Sequence, residues 1–185
     1  AGVDVAPADA WPMYRGTASL TGVSESKLDT SLKPLWTFKA KEGIHSTAAI
    51  AGGKVYVGCD DGHLYALDFK TGKKRWSFKT EDIVESSPLV HNDHVYFGSS
   101  DGFVYAVASK NGKLLWKFET EDRVLGAPNL FEPSGGGTKP ALIVGSYDFR
   151  LYSLDLDSGK SNWHYETANY INGSPAVSSG RTAFG

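Results

Sequence analysis

Short runs of alternating apolar and polar residues, four to six long, recur along the whole chain, separated by Gly-, Asn- and Asp-rich turns. The run Val104-Tyr105-Ala106-Val107 is typical. Tyr, Val, Phe and Trp at this spacing suit pleated strands, in which successive side chains point to opposite faces. No stretch keeps the i, i+3, i+4, i+7 pattern of an amphipathic helix. The pattern also returns at long range. Trp36/Phe38, Trp76/Phe78, Trp116/Phe118 and Trp163/Tyr165 are spaced by 40, 40 and 47 residues. The segments "VYVG", "VYFG", "LIVG" and "TAFG" end at Gly58, Gly98, Gly145 and Gly185, and the turns "TGK", "NGK" and "SGK" start at Thr71, Asn111 and Ser158. The seven-residue excess falls in "FEPSGGGTKPALIVG", which reads as a lengthened surface loop.

Each unit of about 40 residues parses as four short strands joined by tight turns, the pattern of a propeller blade. In the second unit these are "ESSPLV", "HVYFG", "FVYAVA" and "KLLWKF". The expected fold is all-β, a β-propeller of four-stranded antiparallel blades with about three and a half blades present. An extended leader covers 1–31, an outermost strand 32–40, complete blades 44–80, 84–120 and 124–167, and a half blade 171–185. A four-stranded sheet with two apolar faces must be stacked against neighbours to hide both. Trp36, Trp76, Trp116 and Trp163 are the residues expected to dock one blade on the next, each burying its ring while the indole N–H finds a carbonyl. Three completions remain open: a longer propeller of which this is a part, two copies closing one ring, or a compact four-bladed ring with the Trp36 strand beside the last one. Open edges this apolar favour self-association until they are covered.

Composition narrows the function classes. The net charge of −2 gives no support to binding nucleic acid through bulk charge. No apolar run approaches the roughly 18 residues of a membrane-spanning helix. The first residues, "AGVDVAPADA", suit either the mature end of an exported protein or a boundary cut elsewhere. Cys59, the only cysteine, closes an apolar strand and is expected to be buried and inert.

The stretches "DGHLYALDFKTGKKRWSF", "DGFVYAVASKNGKLLWKF" and "YDFRLYSLDLDSGKSNWHY" resemble the pyrroloquinoline-quinone-like propeller repeat, with its Asp-Gly, Tyr-Ala-Leu-Asp, Thr-Gly-Lys and Trp. "WPMYRGTASLTGVSES" is similar to the opening of exported bacterial members. The resemblance covers residues 11–185 and implies a ring, usually of eight blades. The family holds two kinds of member. Quinoprotein dehydrogenases bind the quinone and calcium in the central channel, whereas non-enzymatic scaffolds of the BamB type assist outer-membrane protein assembly. The strand-closing Asp of the repeat stands at Asp68 and Asp155 but is Ala108 in the second blade, which suits a turn-closing role. Many of the dehydrogenases carry a vicinal disulfide beside the cofactor, which a lone Cys59 cannot supply.

Function in a propeller gathers at the channel mouth, where the innermost strands begin. The equivalent segments there read "IHSTA", "VESSP", "VLGAP" and "INGSP", so His45, Glu85, Leu125 and Asn172 vary on a common frame. His45, Glu85 and Asn172 are the rim binding candidates, and Glu85 and Asn172 are also weak calcium candidates, two oxygens where that ion wants 6 to 8. Asp60-Asp61-Gly62 and Ser100-Asp101-Gly102 read as hairpin turns, and His91 and His94 as part of a polar turn rather than a zinc pair. No G-x-S-x-G elbow occurs and no catalytic residue is assigned. The expectation is a non-enzymatic scaffold of the cell envelope, periplasmic or secreted, binding a protein or peptide partner and needing no cofactor. The alternative is part of a dehydrogenase dependent on pyrroloquinoline quinone (PQQ) and calcium.

Overall fold

The computed structural model describes residues 10–24, 31–133 and 139–185. All its regular structure is β, in fourteen strands. The first sheet comprises β1 (Ala49–Ala51), β2 (Lys54–Cys59), β3 (His63–Asp68) and β4 (Lys74–Lys79). The second comprises β5 (Leu89–His91), β6 (His94–Gly98), β7 (Phe103–Ala108) and β8 (Leu114–Glu119). The third comprises β9 (Asn129–Phe131), β10 (Ala141–Gly145), β11 (Arg150–Asp155) and β12 (Ser161–Glu166). The fourth has two strands, β13 (Ala176–Ser178) and β14 (Arg181–Ala183). Within every sheet each strand pairs with its neighbours in sequence, antiparallel throughout. The chain is therefore an all-β propeller with three full blades and half of a fourth. The lengthened loop expected in the third blade falls partly on 134–138, outside the described residues, as does most of the "AGVDVAPADA" end.

Tight turns make the hairpins short. Asp68 Oδ1 accepts hydrogen bonds from the N–H and hydroxyl of Thr71, at 2.8 and 2.7 Å, and Asp155 Oδ1 does the same for Ser158. These are the strand-closing aspartates of the repeat, and they close turns. Gly72, Gly112 and Gly159 follow with φ of +67°, +72° and +70°, a region that costs an L side chain roughly 1–2 kcal/mol.

Blade stacking has one repeated solution. The indole N–H of Trp36, Trp76 and Trp116 donates to the carbonyls of Phe69, Ser109 and Leu156 in the next sheet, at 2.8, 3.0 and 2.8 Å. The same three rings lie over Gly72, Gly112 and Gly159, where a Cβ would overlap the indole. Glycine is thus required twice there, by φ and by the ring above it. Gly58, next to last in β2, and Gly98 and Gly145, which end β6 and β10, are needed for closeness alone. A Cβ on them would strike Val84, Val124 and Ile171 of the following sheet.

Two expectations are corrected. Residues 32–40 form no strand. A fourth strand needs a third to pair with, and the Trp36 segment has none among the described residues, so it lies across the first sheet with Trp36 and Phe38 packed on Val55, Val57, Tyr65 and Leu67. It does not flank β14, so the compact ring with these two segments side by side is not formed. Trp163 does not dock. It is 47% exposed because the turn that would receive its indole is not part of the two-stranded fourth sheet.

The leader, expected only as an extended stretch, binds the first strands of the blades. Trp11 and Ile50 exchange backbone hydrogen bonds at 2.8 Å, Pro12 O accepts from Val90 N, and Ala18 O accepts from Val177 N and from Asn129 Nδ2. Met13 is buried in the cluster shared by the second and third sheets. Four blades are thereby joined by one segment.

Candidate functional site

The rim is built by the links between blades. Val84 N donates to Cys59 O, Val124 N to Ser99 O and Ile171 N to Ser146 O, at 3.1, 3.1 and 3.0 Å. The next residue in each case is a variable one, Glu85, Leu125 or Asn172. Their backbones are therefore held alike while their side chains differ. Serines secure the stacking just beyond: Thr47 N donates to Ser87 Oγ and Ala127 N to Ser174 Oγ, at 2.8 and 2.9 Å.

The repeated aspartates are occupied by the fold. Tyr65, Tyr105 and Tyr152 donate their hydroxyls to Asp61, Asp101 and Asp148, at 2.5, 2.7 and 2.6 Å. Asp101 and Asp148 also accept the backbone N–H of Glu81 and Glu121 from the preceding blade. The hairpin reading of these Asp-Gly pairs holds for the turns, and it missed the tyrosine four residues on. Burial, aided by the neighbouring carboxylates, pushes the Tyr65 and Tyr105 phenols up, and Tyr152 up to about 12. Burial likewise raises the Cys59 thiol, which is buried as expected. His91 Nε2 lies 2.8 Å from Asn92 Nδ2 and His94 Nδ1 lies 2.6 Å from Asn92 O, so each imidazole is taken up by the turn.

What remains at the rim is not repeated, and it forms two groups. In the first, the structure brings His45 and Glu85 together and adds Asp60. Each of the three offers one ligand atom, all within 4.8 Å of one another, and among the described residues they form the one such cluster of His, Cys and carboxylate groups. His45 Nδ1 lies 2.9 Å from Asp60 Oδ2. That hydrogen bond and the charge of Asp60, helped by Glu85, raise the His45 pKa above its ordinary value. Sequence reasoning passed over Asp60 because the hairpin reading accounted for Asp60-Asp61-Gly62 as a unit. Only Asp61 takes the turn's hydrogen bonds, from His63 N and Tyr65.

The second group lies on the third blade. Tyr147 and Tyr170 stack with centroids 4.7 Å apart and planes 12° from parallel. Phe149, two residues after Tyr147 in the same turn, has φ of +68° and is 47% exposed. It occupies the place of Gly62 and Gly102, and its carbonyl accepts from the Thr167 N–H and hydroxyl as Gly62 O and Gly102 O accept from Thr80 and Thr120. Asn172 is exposed two residues beyond Tyr170, on the fourth sheet's lead-in.

A family model described as outer membrane protein assembly factor BamB matches residues 26–184. The chain belongs to this BamB family. BamB from Moraxella catarrhalis matches with a TM-score of 0.67 at 22% identity, over 78% of this chain and 47% of that one. Quinohemoprotein alcohol dehydrogenase from Comamonas testosteroni matches at 0.70 and 21% identity, over 85% of this chain and 27% of that one. The chain spans less than half of either protein, and at these identities the likeness is one of fold. An uncharacterised protein of Methanocaldococcus jannaschii is 50% identical over 40 residues, which are 22% of this chain and 5% of that protein. That span is the length of one repeat, so it reports the blade and not the whole.

The BamB-like rim fits calcium poorly. Glu85 shares its surroundings with an imidazole as well as a carboxylate, whereas calcium takes an all-oxygen shell of 6 to 8 ligands. Imidazole with carboxylate suits borderline transition ions instead.

Proposed function

We propose that the protein is a non-enzymatic propeller scaffold of the cell envelope, periplasmic or secreted, that binds a protein or peptide partner through its rim. The observation that carries this reading is the aromatic group on the third blade. Phe149 sits in a left-handed conformation that the other two blades give to glycine, a strain of order 1–3 kcal/mol. Its carbonyl does only what the glycine carbonyls do, so the turn's hydrogen bonds do not call for a ring there. An exposed phenyl two residues from one member of a stacked tyrosine pair adds the kind of rigid, low-entropy aromatic anchor on which binding energy concentrates. Membership of a family described as an outer-membrane assembly factor supports the same reading.

The test uses an outer-membrane β-barrel precursor diluted from denaturant as the probe. Binding is expected, and Tyr170→Ala, which removes an anchor, should weaken it by about tenfold or more, as loss of a hot-spot residue does. PQQ added with calcium separates the alternative. The scaffold reading expects no new visible band and no rise in melting temperature. A band and a rise together would favour a dehydrogenase part, since a ligand that binds only the folded state must stabilise it.

A further inference from the structure

We infer that His45, Asp60 and Glu85 form a binding site for one divalent transition cation, zinc being the ion that fits best. This inference stands apart from the partner reading. The three side chains come from different places in the fold: the lead-in to β1, the turn after β2 and the lead-in to β5. They converge nonetheless, with one ligand atom each inside 4.8 Å.

The repeats act as internal controls for whether architecture requires them. At the place of Asp60 the second and third blades carry Ser100 and Tyr147, and at the place of His45 and Glu85 later blades carry Leu125 and Asn172. The same stacking is achieved with all of these, so the fold does not ask for the triad. The tyrosine-bonded aspartates, by contrast, recur in every complete blade as Asp61, Asp101 and Asp148.

The backbone also opens where the cluster sits. Gly43 has Ile83, Arg123 and Tyr170 as its counterparts. A Cβ on Gly43 would lie 2.7 Å from Asp60 Oδ2 and 3.2 Å from His45 Cε1. Only the first unit, which holds the cluster, has glycine there. Its φ is not among the positive values, so space rather than conformation is what this glycine provides.

The donor set then decides the ion. One imidazole nitrogen and two carboxylates match zinc, which binds such ligands at about 2.0–2.2 Å. His45 has a 66% exposed side chain and Asp60 a 23% exposed one, so the ring is free to swing and close the remaining distance. Two carboxylates beside a neutral imidazole carry a charge of −2, which a divalent ion balances. Three protein ligands leave a fourth position open to water or to a donor from outside.

The experiment is calorimetric titration of the untagged, chelator-treated chain with zinc chloride alone, repeated with calcium chloride and paired with thermal melts. One zinc per chain is expected, with a raised melting temperature and no comparable calcium heat. His45→Ala and Glu85→Gln should each weaken zinc at least roughly tenfold, the scale on which disturbed metal sites respond. Glu85→Gln keeps shape and so tests the charge without disturbing the fold. Asn172→Ala and the double variant His91→Ala/His94→Ala should bind zinc as the parent does. The inference is overturned by no stoichiometric binding, by zinc binding that survives both site variants, or by binding lost with His91 and His94. A calcium site dependent on Asn172 would overturn it equally.

Discussion

Tyr56, Tyr65, Tyr96, Tyr105 and Tyr152 show how the repeat uses single residues. Burial is the main cause of their raised pKa values, which reach about 12 for Tyr56 and Tyr152. In the unfolded chain the same phenols ionise near pH ~10. Their contribution to stability is therefore complete below pH ~10 and declines as pH rises toward the folded values, because the unfolded state releases protons first. Titrating to alkali while following phenolate absorbance and tryptophan fluorescence should show these five of the nine tyrosines ionising together with unfolding. Nine phenols titrating smoothly while fluorescence stays native would contradict the assignment. The tyrosines were legible from sequence as strand residues. The bond of Tyr65, Tyr105 and Tyr152 to an aspartate four positions back was not, since a hairpin turn already explained that aspartate.

At the scale of the element, the tryptophans separate what a repeated sequence states from what a partner must provide. All four sit at the same place in their units, and the docking role was readable from that spacing. Trp76 and Trp116 are buried by the next sheet, whereas Trp163 faces solvent. No residue near Trp163 signals this, for the difference lies in the neighbouring sheet, which has two strands among the described residues. Trp116→Ala should cost about 3–5 kcal/mol in chemical denaturation, and Trp163→Ala less than about 1 kcal/mol. Equal costs would show that a second surface, such as another copy, covers Trp163. The leader was illegible for a different reason. It has no periodicity, and its hydrogen bonds to β1, β5 and β13 pair it with residues far along the chain.

For the whole molecule, the repeats separate structure from function. Residues shared by the blades stack them, and residues that break the repeat at the rim are the ones proposed to bind. Blade number, turn positions and the varying rim were readable because they recur, or fail to recur, at fixed intervals. Tyr147 with Tyr170, and Asp60 with Glu85, were not, because those partners meet only when one blade's lead-in folds over the previous blade. The measurement that tests this division most directly is melting temperature and affinity for the β-barrel precursor, determined on the same preparations of Asp101→Ala and Phe149→Gly. Asp101→Ala is expected to melt lower and bind unchanged. Phe149→Gly should melt no lower than the parent, its left-handed backbone relieved, and bind about tenfold more weakly or worse. Affinity that follows melting temperature in both variants, or that stays unchanged when Phe149 is lost, would contradict the account.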